Sequence, residues 1–118
     1  MKNIKAYRTF YRYLDNIWNS EEHDWLGALL SQMSWLPDGS TADPAHEYDW
    51  DDAVGQVTDP DDAYMIGMQF LRIYLDIGYI DEIGEILKDM EARKRLELWE
   101  KAVHDVEQGL DDPYLHLG

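Results

Sequence analysis

The pattern of hydrophobic and polar positions along the chain predicts helices. Over residues 4–18 the apolar side chains recur at steps of three and four, which places them on one face of an α-helix. Ser20 is followed by three acids within four residues, as expected for an N-cap and first helical turn, and an apolar stripe then runs over 25–33. This second helix should end at the turn residues of 36–40, LPDGS.

Two Asp-Pro pairs mark further helix starts. Asp43-Pro44 and Asp59-Pro60 each place a capping side chain before a proline, whose fixed φ suits the first helical position. We therefore expect helices to begin at both pairs. The second of these helices, over about 60–77, is apolar around most of its circumference, which predicts the most buried helix of the fold. Gly78 is suited to end it.

The fold class follows from this series of helices. Apolar spacing predicts two more helices, over 80–90 and 96–108, and the residues at 109–118 look irregular. Runs of β-branched residues that alternate with polar ones are missing from the sequence, so a sheet is not expected. The 118 residues are enough for one hydrophobic core. The prediction is an all-α fold: a compact bundle of five or six helices forming a single domain over 1–118.

Composition narrows the class of protein. The chain is 45% hydrophobic and 13% aromatic, which is too rich in core-forming residues for a disordered acidic segment. It contains no cysteine, which excludes disulfides, thiolate zinc sites and thiol nucleophiles. Charges interrupt the apolar residues at the start of the sequence, a pattern of neither a signal peptide nor a membrane span. A cytoplasmic location is the resulting expectation.

The charge is strongly one-sided. The sequence has 25 acids and 10 Lys or Arg, a formal net charge of −15, and residues 13–71 carry thirteen acids and no Lys or Arg. Such a surface repels nucleic-acid phosphates and anionic lipid headgroups, while it attracts cationic partners. We therefore expect no direct binding to nucleic acid or membrane.

The sequence lacks the motifs of a recognisable active site. It has no glycine-rich phosphate loop and no HExxH motif, and its four histidines are not at metal-ligand spacing. The segment DPDDAY at 59–64 holds three carboxylates, but it lacks the alternating ligands and mid-loop glycine of a calcium-binding EF-hand. Helix capping explains these acids better. No enzymatic activity, catalytic residue, metal or cofactor is predicted.

The most acidic stretch is the candidate binding surface. Residues 43–62 carry eight acids without a Lys or Arg, and helical spacing places Tyr48, Asp51 and Asp52 opposite the apolar Trp50 and Val54. Such a face either serves solubility or docks a partner, with a rigid tyrosine anchor and fixed acids that meet Lys and Arg. The candidate contacts are Tyr48, Asp51, Asp52, Asp59, Asp61 and Asp62.

A family resemblance adds a partner. The segment LGALLSQMSWLPDGSTADPAHEYDWDDAV at 26–54, with the aromatic-rich AYRTFYRYLDNIW at 6–18, resembles small, acidic, helical immunity proteins of bacterial polymorphic toxin and contact-dependent growth inhibition systems. It covers about the first half of the chain, and nothing is matched from residue 79 onward. The matched residues are stripe, turn and cap residues and a packed Trp, so the resemblance concerns the scaffold and not the toxin-binding surface.

The resemblance implies a protein that binds and neutralises a cognate toxin. Together with the acidic surface, it suggests that the partner is the toxin's C-terminal domain, a basic nuclease held by stoichiometric protein–protein interaction. Two alternatives remain open from the sequence. One is an acidic mimic of nucleic acid that inhibits a DNA- or RNA-binding protein, and the other is a non-enzymatic interaction module whose charge only aids solubility.

Overall fold

Six helices make up the described part of the chain. The computed structural model describes residues 1–35, 41–78 and 80–109. The helices are, in chain order, α1 (Ile4–Ser20), α2 (Asp24–Met33), α3 (Pro44–Gln56), α4 (Ala63–Asp76), α5 (Ile83–Glu91) and α6 (Leu96–Glu107). The all-α prediction is thereby confirmed. The turn predicted at 36–40 lies outside the described residues, as does the tail predicted at 109–118 except for its first residue, Gly109.

The aromatic face of α1 forms the centre of the bundle. This helix packs against α2, α4 and α6, and α4 packs in turn against α3 and α5. The Phe10 ring of α1 lies 5.9 Å from both the Trp50 ring of α3 and the Phe70 ring of α4. Since α1 buries ten residues and α4 seven, the prediction that α4 is the most buried helix is wrong. Because α1 contacts neighbouring helices on both faces, its buried residues, many of them aromatic, cover more of its circumference than the apolar stripe predicted over 4–18.

The predicted start of the second helix is also wrong. Ser20 is the last residue of α1, and the Glu21 N–H continues the helical pattern by donating to the Ile17 carbonyl oxygen at 2.8 Å. The chain then uses the residues up to His23 to change direction before α2 begins at Asp24. His23 occupies the N-cap position, but its side chain does not cap the helix: ring Nε2 lies 3.4 Å from the Glu21 carboxylate instead. Ser20 therefore does not cap α2, because α1 continues through this residue.

The Asp59-Pro60 pair forms a turn and not a helix start. The Asp59 carboxylate accepts a hydrogen bond from the Asp61 N–H at 2.9 Å, and the Asp59 carbonyl oxygen accepts one from the Asp62 N–H at 3.1 Å. Proline is favoured at the second position of such a turn. Asp62 is the actual N-cap, and its carboxylate accepts from the Met65 N–H at 3.1 Å. α4 therefore begins at Ala63, later than the predicted start at about 60, although an acid of this segment, Asp62, does cap it.

Most of the remaining helix limits agree with the sequence pattern, but α5 begins at Ile83, three residues later than predicted. Asp43 caps α3 as predicted, because its carboxylate accepts from the Ala45 N–H at 3.0 Å. Gly78 follows α4 with a φ of 71°, a left-handed conformation in which glycine has no steric penalty. None of the helices in the described ranges combines the length and the apolar content that a bilayer crossing requires.

Candidate functional site

The orientation of α3 is fixed by Trp50. The side chain is fully buried, and its indole ring lies 5.1 Å from the Tyr7 ring and 5.4 Å from the Phe70 ring, both in edge-to-face geometry. Ala53 and Val54 are buried on the same side of the helix, as the sequence predicted. A large aromatic residue held from two helices leaves α3 little freedom to rotate, so the opposite face of the helix is presented in one orientation.

Tyr48 and Asp52 occupy that outer face. Tyr48 is 72% exposed, more than any other large hydrophobic side chain in the described residues. Asp52 is exposed one turn further along the helix, and the small residues Ala45 and Gly55 are exposed beside them. A Cβ built on Gly55 would meet no atom within 4 Å, so the surface around the tyrosine is open. A partner can therefore reach both the ring and the carboxylate.

Asp51 differs from Asp52 although the two are neighbours in the sequence. Its carboxylate accepts a hydrogen bond from the Lys2 backbone N–H at 2.6 Å, and the residue is half-buried. The sequence offered no local reason for an acid at this position. The structure supplies one, because Asp51 is a hydrogen-bond acceptor for the start of the chain.

A second acid of α3 faces the same way. Glu47 lies with its carboxylate 3.1 Å from the Met1 α-amine. This hydrogen bond raises the pKa of the amine above its ordinary value, and the nearby charge of Asp51 acts in the same direction. The flank of α3 that faces the first residues of the chain is therefore partly neutralised, whereas the outer face with Tyr48 and Asp52 is not.

The other candidate contacts lie in the loop between α3 and α4. Asp59 and Asp62 use carboxylate oxygens for the turn and for the cap of α4. Asp61 is exposed and lines a cavity of about 190 Å³ together with Lys5 and Glu107. The structure thus divides the six candidates into three groups: an outer face (Tyr48, Asp52), a flank held by the chain start (Asp51), and a capped loop (Asp59, Asp61, Asp62).

His46, a buried histidine in the first turn of α3, was not identified from the sequence as a residue with buried partners. His46 Nδ1 contacts the Tyr74 hydroxyl, and Nε2 lies 3.1 Å from Gln32 Oε1. This pairing suits a neutral ring in which Nε2–H donates to the amide and Nδ1 accepts from the hydroxyl. Burial lowers the pKa of His46, although the negative charges of Asp43 and Asp49 oppose the shift. A lone histidine in the sequence carries no signal of such partners.

The outer face of α3 offers charge and contact area. No group of three His, Asp or Glu side chains in the described ranges is placed to hold a metal ion. A cavity of about 360 Å³ between α1 and α6 is lined by Ile4, Lys5, Arg8, Val106 and Glu107, which include neither a histidine nor a hydroxyl. The outer face of α3 thus presents an exposed aromatic ring and an exposed carboxylate.

Comparisons with protein-family models, with curated proteins and with solved structures find no match.

Proposed function

We propose that the protein is an immunity protein, which neutralises a cognate toxin domain by binding it with one-to-one stoichiometry. The observation that carries the proposal is the exposure of Tyr48, 72%, on a helix face that also carries Asp52. A tyrosine of this kind contributes a large contact area at low conformational cost, and tyrosines are enriched among the residues that dominate binding energy. The resemblance of 26–54 to immunity proteins supports the same function.

The expected partner is a basic nuclease domain. A nuclease cleft attracts phosphate with Lys and Arg, and a chain with a formal net charge of −15 is complementary to such a cleft. Long-range attraction would speed association, and the tyrosine would then fix the register of the complex. Inhibition follows when the bound protein covers the cleft or lies beside it and excludes the substrate.

The rigidity of α3 supports a docking role for this helix. Trp50 anchors the helix in the aromatic core, so the backbone positions of Tyr48 and Asp52 are fixed before a partner arrives. Binding to a preformed helix loses less conformational entropy than binding that must order a flexible segment. A solubilising surface does not require such fixed positions.

A mimic of nucleic acid is the alternative. Such a protein presents carboxylates along an elongated surface with the spacing of backbone phosphates. The Cα trace has principal extents of 34 × 29 × 25 Å and a radius of gyration of 13.0 Å. These near-equal dimensions favour a discrete docking face over an elongated charged edge.

Calorimetry with the neighbouring gene product tests the proposal. The C-terminal region of the protein encoded immediately upstream is co-expressed with this chain, separated from it, and titrated at two salt concentrations. We expect one-to-one binding with a Kd of about 1 nM or lower, weakened at the higher salt concentration. An absence of binding would rule out this neighbour as the partner.

Two variants of α3 test whether the acidic face is the contact. Asp52→Lys reverses an exposed charge and should slow association and reduce its salt dependence. Asp51→Asn is the comparison variant: it removes one neighbouring charge, half the change made by Asp52→Lys, while an amide oxygen can still accept from the Lys2 N–H. Unchanged association kinetics in Asp52→Lys would remove the outer face of α3 from the interface.

A further inference from the structure

The first residues of the chain are held by two adjacent residues of α3. The Lys2 N–H donates to the Asp51 carboxylate at 2.6 Å, and the Lys2 carbonyl oxygen accepts from the Trp50 indole Nε1–H at 2.9 Å. Both backbone groups of one residue are thus bonded to side chains 48 and 49 positions away. Trp50 is also the core anchor of α3, so the contact is attached to the most rigid part of the helix.

Asn3 extends this contact to the loop between α3 and α4. Its Oδ1 accepts from the Ala6 N–H at 3.1 Å and caps α1, while its Nδ2 donates to the Pro60 carbonyl oxygen at 2.7 Å. The two bonds require an acceptor and a donor on one short side chain, which an amide provides. Asn3 has a φ of 48°, in the left-handed region that asparagine adopts more readily than most residues.

The loop itself has little packing to hold it. Thr58, Asp59, Pro60 and Asp61 are all exposed, so burial of apolar surface does not fix their position. The turn centred on Pro60 is closed internally by the bonds of Asp59. Its placement relative to the bundle therefore depends on contacts such as the bond from Asn3.

We propose that residues 1–3 act as a positioning strap for the docking surface: they hold the acidic loop at 58–62 in a fixed relation to α3. This inference rests on the proposed function and adds Asn3 as a positioning residue that acts through the loop. These bonds give the acidic loop at 58–62 a fixed position relative to α3, the helix that carries Tyr48 and Asp52. A preformed surface loses less entropy on binding, so the strap lengthens the lifetime of the complex.

The substitution Asn3→Asp separates the strap from the helix cap. A carboxylate still accepts from the Ala6 N–H, and an acid at a helix N-terminus is favourable, but the donor to Pro60 is lost. Asn3→Gly is the companion variant, which tolerates the left-handed backbone and loses both bonds. A change that results from losing the bond to Pro60 should appear in both variants, whereas a change that results from losing the cap of α1 should appear only in Asn3→Gly.

Amide hydrogen exchange of the free protein is the first measurement. The Asp62 N–H closes the turn whose central residue, Pro60, accepts the bond from Asn3, so loss of that bond should let the turn open more often and the Asp62 N–H exchange faster. The Ala102 N–H in α6 is the internal reference. The strap predicts that exchange at Asp62 becomes about tenfold faster or more in both variants, with Ala102 unchanged. Exchange at Asp62 that matches the unsubstituted protein in Asn3→Asp would overturn the strap, and this result does not depend on any partner.

Binding kinetics with the upstream toxin domain are the second measurement. Asn3→Asp should dissociate about tenfold faster with no slower association, since the added negative charge does not repel a basic partner. Faster exchange combined with an unchanged dissociation rate would show that the strap orders the loop without serving binding, and would overturn the inference. If the unsubstituted protein does not bind the toxin domain, the proposed function fails for that neighbour, while the exchange data still decide the strap.

Discussion

Arg12 on α1 and Asp105 on α6 form an ion pair inside the bundle, with the guanidinium Nε 3.1 Å from the carboxylate. The side chains are only 14% and 9% exposed. Arg12 also lies 2.9 Å from the carboxylate of Asp15, which is 1% exposed. A single cation thus compensates two carboxylates between the two helices that pack most extensively on each other.

Removal of the Arg12 charge should strongly destabilise the fold. Arg12→Gln keeps much of the side-chain volume but leaves both carboxylates without this cation, in a place where water does not solvate them. Breaking a buried ion pair in this way typically costs about 3–5 kcal/mol. The free energy of unfolding in urea measures the loss.

Arg95→Gln is the matched control for Arg12→Gln. Arg95 pairs with the exposed Glu21 at 3.2 Å and with Asp89 at 3.1 Å, and the side chain is about twice as exposed as that of Arg12. Solvent-screened pairs of this kind contribute about 0–1 kcal/mol. Equal losses in the two variants would mean that burial of the Arg12 pair carries no extra energetic consequence.

Gly67 on α4 allows the close approach of Phe10. A Cβ built on Gly67 would overlap Cδ1 of the Phe10 ring and lie 2.7 Å from its Cε1, and this ring is fully buried and cannot move aside freely. Gly67→Ala should therefore destabilise the protein by about 1–3 kcal/mol, although alanine favours the helical backbone by about 1 kcal/mol. Gly55→Ala, in the open part of α3, should instead stabilise by about 0.5–1 kcal/mol. Thermal unfolding of the two variants gives the sign of each effect, and the same sign in both would contradict the packing argument.

His46 should make stability depend on pH. Because burial lowers its pKa in the folded state, the unfolded chain takes up a proton as the pH falls through about 6.5, while the folded protein still has a neutral ring. The unfolded state then binds more protons, and the free energy of unfolding decreases on acidification. For one proton the slope is at most about 1.4 kcal/mol per pH unit, between 6.5 and the lower folded pKa.

Comparison with His46→Gln isolates this dependence. Both proteins share all other titrating groups, so the difference between their curves of unfolding free energy against pH contains the contribution of His46 alone. We expect the two curves to converge from about pH 7 to about pH 5, as the unsubstituted protein loses stability faster. Parallel curves would show that His46 has the same pKa in the folded and unfolded states.

Helix periodicity was readable from the sequence because it is local. The stripe over 4–18 predicted α1, and the spacing of Trp50, Ala53 and Val54 predicted the buried face of α3 correctly. Capping residues were less informative, since the sequence near Asp59 contains two possible N-caps, Asp59 and Asp62. The same Asp-Pro pair begins a helix at 43–44 and a turn at 59–60, and the alternative cap at Asp62 decides the difference.

The contacts that shape the candidate site are distant in sequence. Asp51 bonds to Lys2 across 49 positions and Asn3 bonds to Pro60 across 57, so neither pair has a local signature. The sequence could therefore place Asp51 on the polar face of a helix without revealing that its carboxylate is already bonded. Helical spacing alone predicts that a side chain such as that of Tyr48 points outward. It does not predict which group an outward carboxylate bonds to.

Tyr48→Ala should separate binding from stability. Since the side chain is mostly exposed, its loss should change the free energy of unfolding by no more than about 0.5 kcal/mol. If Tyr48 anchors the toxin, the same variant should lose about 2 kcal/mol of binding energy, which is close to a thirtyfold increase in Kd. Calorimetric titration against the toxin domain and urea unfolding together make the comparison.

Leu96→Ala controls for a general effect of exposed apolar side chains. Leu96 is also exposed. It lies near the end of α1, because the preceding residue, Arg95, contacts Glu21 there. Tyr48 lies near the start of α1, because the preceding residue, Glu47, contacts Met1. The two ends of this 17-residue helix are about 25 Å apart, more than the radius of a typical interface patch. An interface centred on α3 leaves the affinity of Leu96→Ala unchanged. Equal losses of affinity in Tyr48→Ala and Leu96→Ala would place the contact elsewhere, because no patch centred on Tyr48 reaches the start of α6.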